Sequence, residues 1–263
     1  MNSSLRRAIA HLTLGDDSEI HFSLAAERIQ RALLDVSVPT LSGTEIGVHA
    51  EPARLVGGDY IDIFAVVEDV LVMGLGDASG KSLAAALNAL MLRYLVRGLT
   101  TALGARQLVS IVSHTNAVVT DDMAEGSFIT FLLAALHVTT GELRVVNAGH
   151  EPPLLYRRAL DEVHTMDVHD IVLGINKQTA YKEEQTVLSD GDVAVFYTDG
   201  LTEATNSKGE LFTIERLKDE LHKRAGQPAQ QIAETLFDKV KEHASGPLRD
   251  DATILAIRRV PER

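Results

Sequence analysis

The sequence predicts an α+β protein, and three observations carry that prediction. Apolar periodicity changes in blocks along the chain: strand-like, two helices, strand-like, two helices, then a closing strand. Successive strand segments are joined by short turns, Glu68-Asp69 and Thr139-Thr140-Gly141-Glu142 among them, as hairpins are. The regular strand–helix alternation of a doubly wound parallel sheet is missing.

Ser18 to Val36 reads as a helix, because Phe22, Ala25, Ala26, Ile29, Leu33 and Val36 recur at three- and four-residue spacing. Asp17 or Ser18 supplies its cap and Pro39 stops it. From Thr44 the period becomes two: Glu45 to Ala50 alternates, and Val66 to Met73 reads as two strands about the Glu68-Asp69 turn. Ser82 to Leu99, rich in Ala and Leu, and Ala105 to Thr120 are the first helix pair. Phe128 to Val138 and Leu143 to Val146 make a hairpin. Leu154 to Tyr156, Val163 to Met166 and Glu183 to Leu188 are shorter strands. Ser189-Asp190-Gly191-Asp192 turns into the strand Val193 to Tyr197. Ile214 to Arg224 and Pro228 to His243, with proline at its start, form the second helix pair, and Ala252 to Arg258 closes the chain.

With 263 residues the chain has room for one large or two small domains. No repeat or linker interrupts residues 44–259, so one domain behind an N-terminal helix is expected. A chain 45% apolar and 24% charged is not disordered. Having no cysteine, it contains no disulfide framework, thiolate zinc site or cysteine nucleophile. The formal charge of −12 argues against sequence-independent nucleic-acid binding. Leu83 to Leu99 is broken by Asn88, Arg93 and Arg97 and is too short to span a bilayer. Arg6 and Arg7 have no apolar run of signal-peptide type behind them, so a cytoplasmic protein with no membrane or nucleic-acid partner is expected.

Gly76-Asp77-Ala78-Ser79-Gly80-Lys81-Ser82 ends as a phosphate-binding P-loop does. That motif needs four residues between its glycines, and position 75 is Leu75; Gly74 and Gly76 miss by one on either side. More informative is the recurrence of aspartate at strand ends beside glycine. Asp59 follows Gly57-Gly58, Asp77 lies between Gly76 and Gly80, Asp199 precedes Gly200, and Asp250-Asp251 opens the last strand. Such a carboxylate is held on rigid scaffolding yet faces a loop. Any one of them alone reads better as an ordinary turn or cap. Together, with no histidine or cysteine among them, they make a hard-oxygen set suited to Mg²⁺ or Mn²⁺.

Five blocks of sequence carry a family resemblance. They are Pro52-Ala53-Arg54-Leu55-Val56-Gly57-Gly58-Asp59-Tyr60, Gly76 to Lys81, Asn147-Ala148-Gly149-His150-Glu151-Pro152, Tyr197-Thr198-Asp199-Gly200-Leu201-Thr202-Glu203-Ala204 and Asp250-Asp251-Ala252-Thr253. In this order they resemble the metal-dependent protein phosphatases of type 2C, in the bacterial branch of stage II sporulation protein E and RsbU-type phosphatases. The resemblance runs from Ala25 to Arg258 and implies an αββα sandwich, two antiparallel sheets between helix pairs. It implies residues 41–263 as the phosphatase catalytic domain behind an N-terminal segment, residues 1–40, whose helix (18–36) is regulatory or a linker. It also implies two divalent cations, Mn²⁺ or Mg²⁺, and hydrolysis of phosphoserine or phosphothreonine by metal-activated water without a phosphoenzyme.

By the same resemblance the metal ligands are Asp59, Asp77, the main-chain carbonyl of Ala78, Asp199 and Asp250, with Asp251 the alternative to Asp250. Ser82 and Ile61 depart from the family's usual glycine and aromatic residue without removing a ligand. Arg54 is a candidate for gripping the substrate phosphate, as a forked guanidinium can, or a solvated arginine. His150 is a structural hydrogen-bonding residue or a general acid. The implied substrate is a phosphorylated anti-anti-sigma-type regulator in bacterial partner switching. The N-terminal helix either mediates a homodimer or packs on its own domain. The rival reading is a catalytically silent phosphatase-fold regulator that captures a partner.

Overall fold

The computed structural model describes residues 34, 36–53, 57–66, 69–80 and 83–261. Five strands form each of two sheets, and every paired neighbour within them is antiparallel. The first sheet orders β1 (Thr44–Glu51), β10 (Ala252–Arg259), β9 (Val193–Tyr197), β6 (Leu154–Arg157) and β7 (Glu162–Thr165). The second orders β2 (Asp59–Val66), β3 (Val70–Ala78), β4 (Ile129–His137), β5 (Glu142–Ala148) and β8 (Glu183–Val187). The helices are α1 (Leu83–Leu103), α2 (Leu108–Asp122), α3 (Asp199–Thr202), α4 (Ile214–Arg224) and α5 (Ala229–His243).

Strand periodicity sorts the apolar side chains into three layers. Ile61, Ile63, Leu71, Met73, Leu75, Leu132, Ala134 and Leu136 meet Leu155, Ala194, Phe196, Leu255 and Ile257 between the sheets. The alternate residues Tyr60, Val70, Val72, Phe131, Leu133 and Ala135 face Ala85, Ala89, Leu92 and Val96 of α1 and Ile111, Val112 and Val119 of α2. On the outer side of the first sheet, Val193, Val195, Tyr197, Ile254 and Ala256 meet Leu217 and Leu221 of α4 and Ile232, Leu236 and Val240 of α5. This is the expected αββα sandwich. Strands covered on both faces read as continuous apolar runs, which is why β3, β4 and β9 lack clean alternation.

Arg93 and Arg97, which interrupt the apolar run of α1, find a partner on the sheet. Asp62 of β2 is fully buried and accepts Arg97 Nε at 2.6 Å, Arg97 Nη2 at 2.7 Å and Arg93 Nη2 at 3.2 Å. Gly47 lets α5 lie close on β1, since a Cβ there would stand 2.2 Å from the Ala229 carbonyl oxygen.

Element boundaries depart from the sequence reading by a few residues: α1 runs on to Leu103, α2 starts at Leu108, and α3 is a single turn too short to show a period. The expected N-terminal helix lies outside the described residues except for Leu34 and Val36, which pack against the core between the sheets. Among the described residues, no helix is long and apolar enough to cross a membrane.

Candidate metal centre

Hairpin register brings the first two carboxylates together. Asp59, the first residue of β2, pairs directly with Asp77 near the end of β3, and Asp77 pairs in turn with Thr130 of β4. The Ala78 N–H donates to the Gly58 carbonyl at 3.1 Å, so the chain before β2 is tied to the end of β3. Gly58 is required by space: a Cβ there would stand 2.4 Å from the Ala78 carbonyl oxygen and 2.5 Å from Asp77 Oδ1.

The first sheet supplies the other half. Thr198, just past β9, and Thr253, on β10, both donate their hydroxyls to Asp59 Oδ2, at 3.0 and 2.6 Å. The two are locked together, since Thr253 N–H donates to Thr198 Oγ1 at 3.0 Å and Thr198 N–H to the Thr253 carbonyl at 3.1 Å. Asp59 is thereby clamped between the sheets. Its carboxyl is held well above the ordinary range, chiefly by burial and further by the charges of Asp77 and Asp251, against the lowering effect of the threonine hydroxyls.

Asp199 follows Thr198 and opens α3 half-buried. It faces Glu151, whose carboxyl is raised by burial and then by the Asp199 and Glu203 charges. Asp250 is half-exposed and accepts the Asp251 N–H on Oδ1 at 3.1 Å. Asp251 is buried, accepts the Ala53 N–H on Oδ1 at 2.8 Å, and fills the space where a Cβ on Gly57 would be. A small cavity of about 70 Å³ is lined by Asp77, Thr130, Gly149, His150, Glu151 and Asp199.

His150 is buried at the edge of this cavity. Asn147 closes the turn before it, accepting the His150 N–H at 2.7 Å and donating to its carbonyl at 2.9 Å. Thr130 Oγ1 lies 2.9 Å from Nδ1, and Nε2 is buried. Burial depresses the ring to about 4, only partly offset by the Tyr197 carbonyl, so it is neutral near pH 7 and not an imidazolium acid.

The structure therefore brings Asp59, Asp77 and Ala78 together at one hairpin end, with Asp199 across the cavity and the Asp250-Asp251 pair at the mouth of β10. Arg54 and Lys81 lie outside the described residues. The P-loop context is absent, because β3 is antiparallel to both its neighbours. The sequence reading missed Thr198, Thr253 and Glu151 as contributors, although all three lie inside blocks it singled out. Among the described residues, no three His, Asp or Glu side chains are already closed around one point. The donor set nevertheless suits a hard divalent cation. All the candidate ligands are oxygens, and a buried carboxylate crowded by two others is unfavourable until a positive charge joins it.

Comparisons with known proteins match the chain to a family and to a fold. The family model for stage II sporulation protein E (SpoIIE) matches residues 68–260. Phosphoserine phosphatase RsbU of Bacillus subtilis is 28% identical over 252 residues, covering 95% of this chain and 74% of its own length. The SiaA-PP2C domain of Pseudomonas aeruginosa superposes with a TM-score of 0.79 at 25% identity, covering 93% of this chain and 98% of that one. The catalytic domain of serine threonine protein phosphatase PstP, solved in complex with two manganese ions, has a TM-score of 0.60 at 15% identity. It covers 83% of this chain and 99% of that chain, and at that identity it speaks for the fold alone.

Proposed function

The chain belongs to the stage II sporulation protein E (SpoIIE) family, and from that premise we propose that it is a metal-dependent phosphoprotein phosphatase acting on phosphoserine or phosphothreonine. The observation that carries the reading is the clamped, charge-crowded Asp59, buried opposite Asp77 and held, among the described residues, by the neutral hydroxyls of Thr198 and Thr253. Two Mn²⁺ or Mg²⁺ ions bound here would neutralise the carboxylates, draw charge from a phosphoryl group and activate water for attack on phosphorus.

The protein's own part is to hold and exclude. We assign Asp59, Asp77, the Ala78 carbonyl and Asp199 as ligands, and Asp250 as the ligand from β10. Asp251 is otherwise engaged, bracing the Ala53 N–H and Gly57. Thr198 and Thr253 hold Asp59 in place, which fixes the two sheets relative to each other at the point where charge must gather. The cavity lined by Asp77, Thr130, Gly149, His150, Glu151 and Asp199 is small, so the bulk of a phosphoprotein would remain outside it.

For the substrate we propose a phosphorylated regulator of the anti-anti-sigma type, encountered in the cytoplasm within a partner-switching pathway; the likeness to RsbU supports this. Residues 41–263 are taken as the catalytic domain and residues 1–40 as a regulatory or linker segment able to mediate a homodimer. Arg54 is the candidate phosphate grip. The test is hydrolysis of an aryl phosphate and of a phosphoserine protein, with Mn²⁺ and with chelator. Turnover with Mn²⁺ and none with chelator is expected. Folded protein inactive on both substrates with either metal would refute the reading.

A further inference from the structure

Between β7 and β8 the chain crosses the end of β5 and the start of β4, beside the small cavity. Asp170 bridges Ala148 and donates its N–H to the Asn147 carbonyl at 2.8 Å. Val172 packs on Gly149, which lines the cavity; a Cβ on that glycine would stand 2.4 Å from Val172 Cγ1. Leu173 is buried and exchanges two backbone hydrogen bonds with Ile129, at 2.9 and 3.1 Å, one residue before Thr130 of the cavity wall. Farther on, the buried Asn116 of α2 accepts the Gly174 N–H at 3.0 Å and donates to the Asn176 carbonyl at 2.8 Å. This stretch is pinned to regular structure along its length, yet it holds Ile171 and Ile175 out to solvent, 52% and 55% exposed. Phe128, 38% exposed, stands on the same border. Its carbonyl accepts the Ser79 N–H at 2.9 Å and its N–H donates to Ser79 Oγ at 3.0 Å, two residues past Asp77.

A groove of about 620 Å³ opens along the same stretch, with Ile171, Asn176, Thr179 and Ala180 in its lining. Scattered exposed apolar residues need no explanation, but three that border one cavity on hydrogen-bonded backbone form an apolar rim. A phosphoserine held in the cavity leaves its neighbours outside, where they must pass over that rim. Paired strands lie about 4.8 Å apart, so the Asp170–Ala148 bridge puts Ile171 one chain's width from the cavity wall at Gly149. An extended peptide advances about 3.3 Å per residue, which brings residues about two to four positions from the phosphoserine over Ile171. We propose that this rim is a specificity surface: Ile171 and its groove, with Phe128 and Ile175 beside them, receive an apolar side chain of the phosphoprotein substrate. The proposal rests on the phosphatase reading for the nature of that substrate. Burying an apolar side chain here removes apolar surface from water on both partners. An acidic side chain in the same place would meet Asp170, which also lines the groove, on a chain whose formal charge is −12.

Two phosphoserine peptides of equal length test it on the Mn²⁺-loaded full chain. One carries leucine and the other serine at the second to fourth positions on both sides of the phosphoserine. Wild type should favour the leucine peptide about tenfold in kcat/KM, the discrimination that a small apolar contact supplies. The double variant Ile171→Ser/Ile175→Ser should lose that preference. Its kcat/KM on an aryl phosphate, which is too short to reach the rim, should stay within about twofold of wild type. Phe128→Ser should lose part of the preference. If the double variant does not fold, Ile171→Ser alone replaces it. Phosphonate versions of both peptides, in which a methylene replaces the ester oxygen and hydrolysis is blocked, report binding apart from turnover. Equal kcat/KM and equal binding of the two peptides by wild type, or a leucine preference that survives in the double variant, would overturn the proposal. A leucine preference in phosphonate binding, lost in the variant, from a protein that hydrolyses neither peptide nor aryl phosphate would uphold the rim and refute the phosphatase reading.

Discussion

Asp59 and Asp77 stand directly opposite each other in the β2–β3 ladder. Like charges in a cross-strand pair destabilise a sheet, by about 0.2–1 kcal/mol where exposed and more where buried. Asp77→Asn should therefore leave the metal-free protein as stable as wild type or more so. The same variant should lose the stabilisation that Mn²⁺ gives wild type, about 2.7 kcal/mol at a hundredfold excess over Kd. Thermal melts of both proteins, with chelator and with Mn²⁺, read the two effects separately. Wild type that melts at one temperature with and without metal would count against the site.

A second acidic residue is buried for a different reason. Asp62 is gripped by Arg97 through two bonds and by Arg93 through one, which joins β2 to α1. Arg97 is 42% exposed and can turn to water when the carboxylate is removed, whereas Arg93 is largely buried, so the loss should be about 1–3 kcal/mol, that of hydrogen bonds to a charged group. Asp62→Ala should show that loss in urea unfolding, by the same amount with chelator and with Mn²⁺, because the cluster lies apart from the ligands.

These three aspartates mark what the sequence shows and what it hides. Asp59 and Asp77 are legible because each lies beside glycine at the end of an apolar run, a local pattern. Asp62 gives no such signal, for it sits within a strand and its partners are 31 and 35 residues away. Thr198 and Thr253 are harder still, since their bonds to Asp59 span 139 and 194 residues. The α+β class was legible from block order, whereas the pairing of β1 with β10 depends on the chain's two ends meeting. The one-turn helix at Asp199 carries no period at all.

The glycine beside Asp59 should prove as sensitive as a ligand. A methyl group at Gly58 would have to move the Ala78 carbonyl or the Asp77 carboxylate, 2.4 and 2.5 Å away. Gly58→Ala should weaken Mn²⁺ binding about 10–100-fold, as losses in a ligand's supporting shell do. Gly98→Ala is the control. Nothing lies within 4 Å of a Cβ there, and alanine in a helix interior should stabilise by about 0.5–1 kcal/mol. Calorimetric titration with Mn²⁺ compares the two.

Acid should destabilise the protein partly through His150. Its folded-state value is depressed to about 4 from an ordinary 6.5. Above pH 6.5 both folded and unfolded rings are neutral, and stability does not depend on this group. Between pH 6.5 and 4 the unfolded chain takes up a proton that the folded chain refuses. Stability then falls by up to about 1.4 kcal/mol per unit, and below 4, where both rings carry the proton, this group adds no further slope. His150→Gln removes that slope. Urea midpoints measured in chelator from pH 7.5 to 4.5 should drop more steeply in wild type than in the variant, and parallel curves would contradict the burial argument.

The adjacent pair Asp250 and Asp251 gives the sharpest contrast, because the two carboxylates occupy different surroundings. Asp251 is buried, takes the Ala53 N–H and packs where Gly57 has no side chain. Its charge also reaches Asp59. Asp250 is half-exposed and accepts the N–H of the next residue on Oδ1. If Asp250 is the ligand, Asp250→Asn should reduce Mn²⁺ affinity and turnover about 10²-fold while urea stability in chelator stays within about 0.5 kcal/mol. Asp251→Asn should do the reverse in part. Asparagine can still accept the Ala53 N–H, and the loss of a charge near Asp59 relieves repulsion, so metal-free stability should hold while Mn²⁺ affinity changes less than tenfold. Asp251→Ala leaves that buried N–H without an acceptor and should cost about 1–3 kcal/mol. Should Asp251→Asn instead be the variant that abolishes Mn²⁺ binding, the ligand from β10 is Asp251. The Ala53 contact would then be the brace that aims it at the metal.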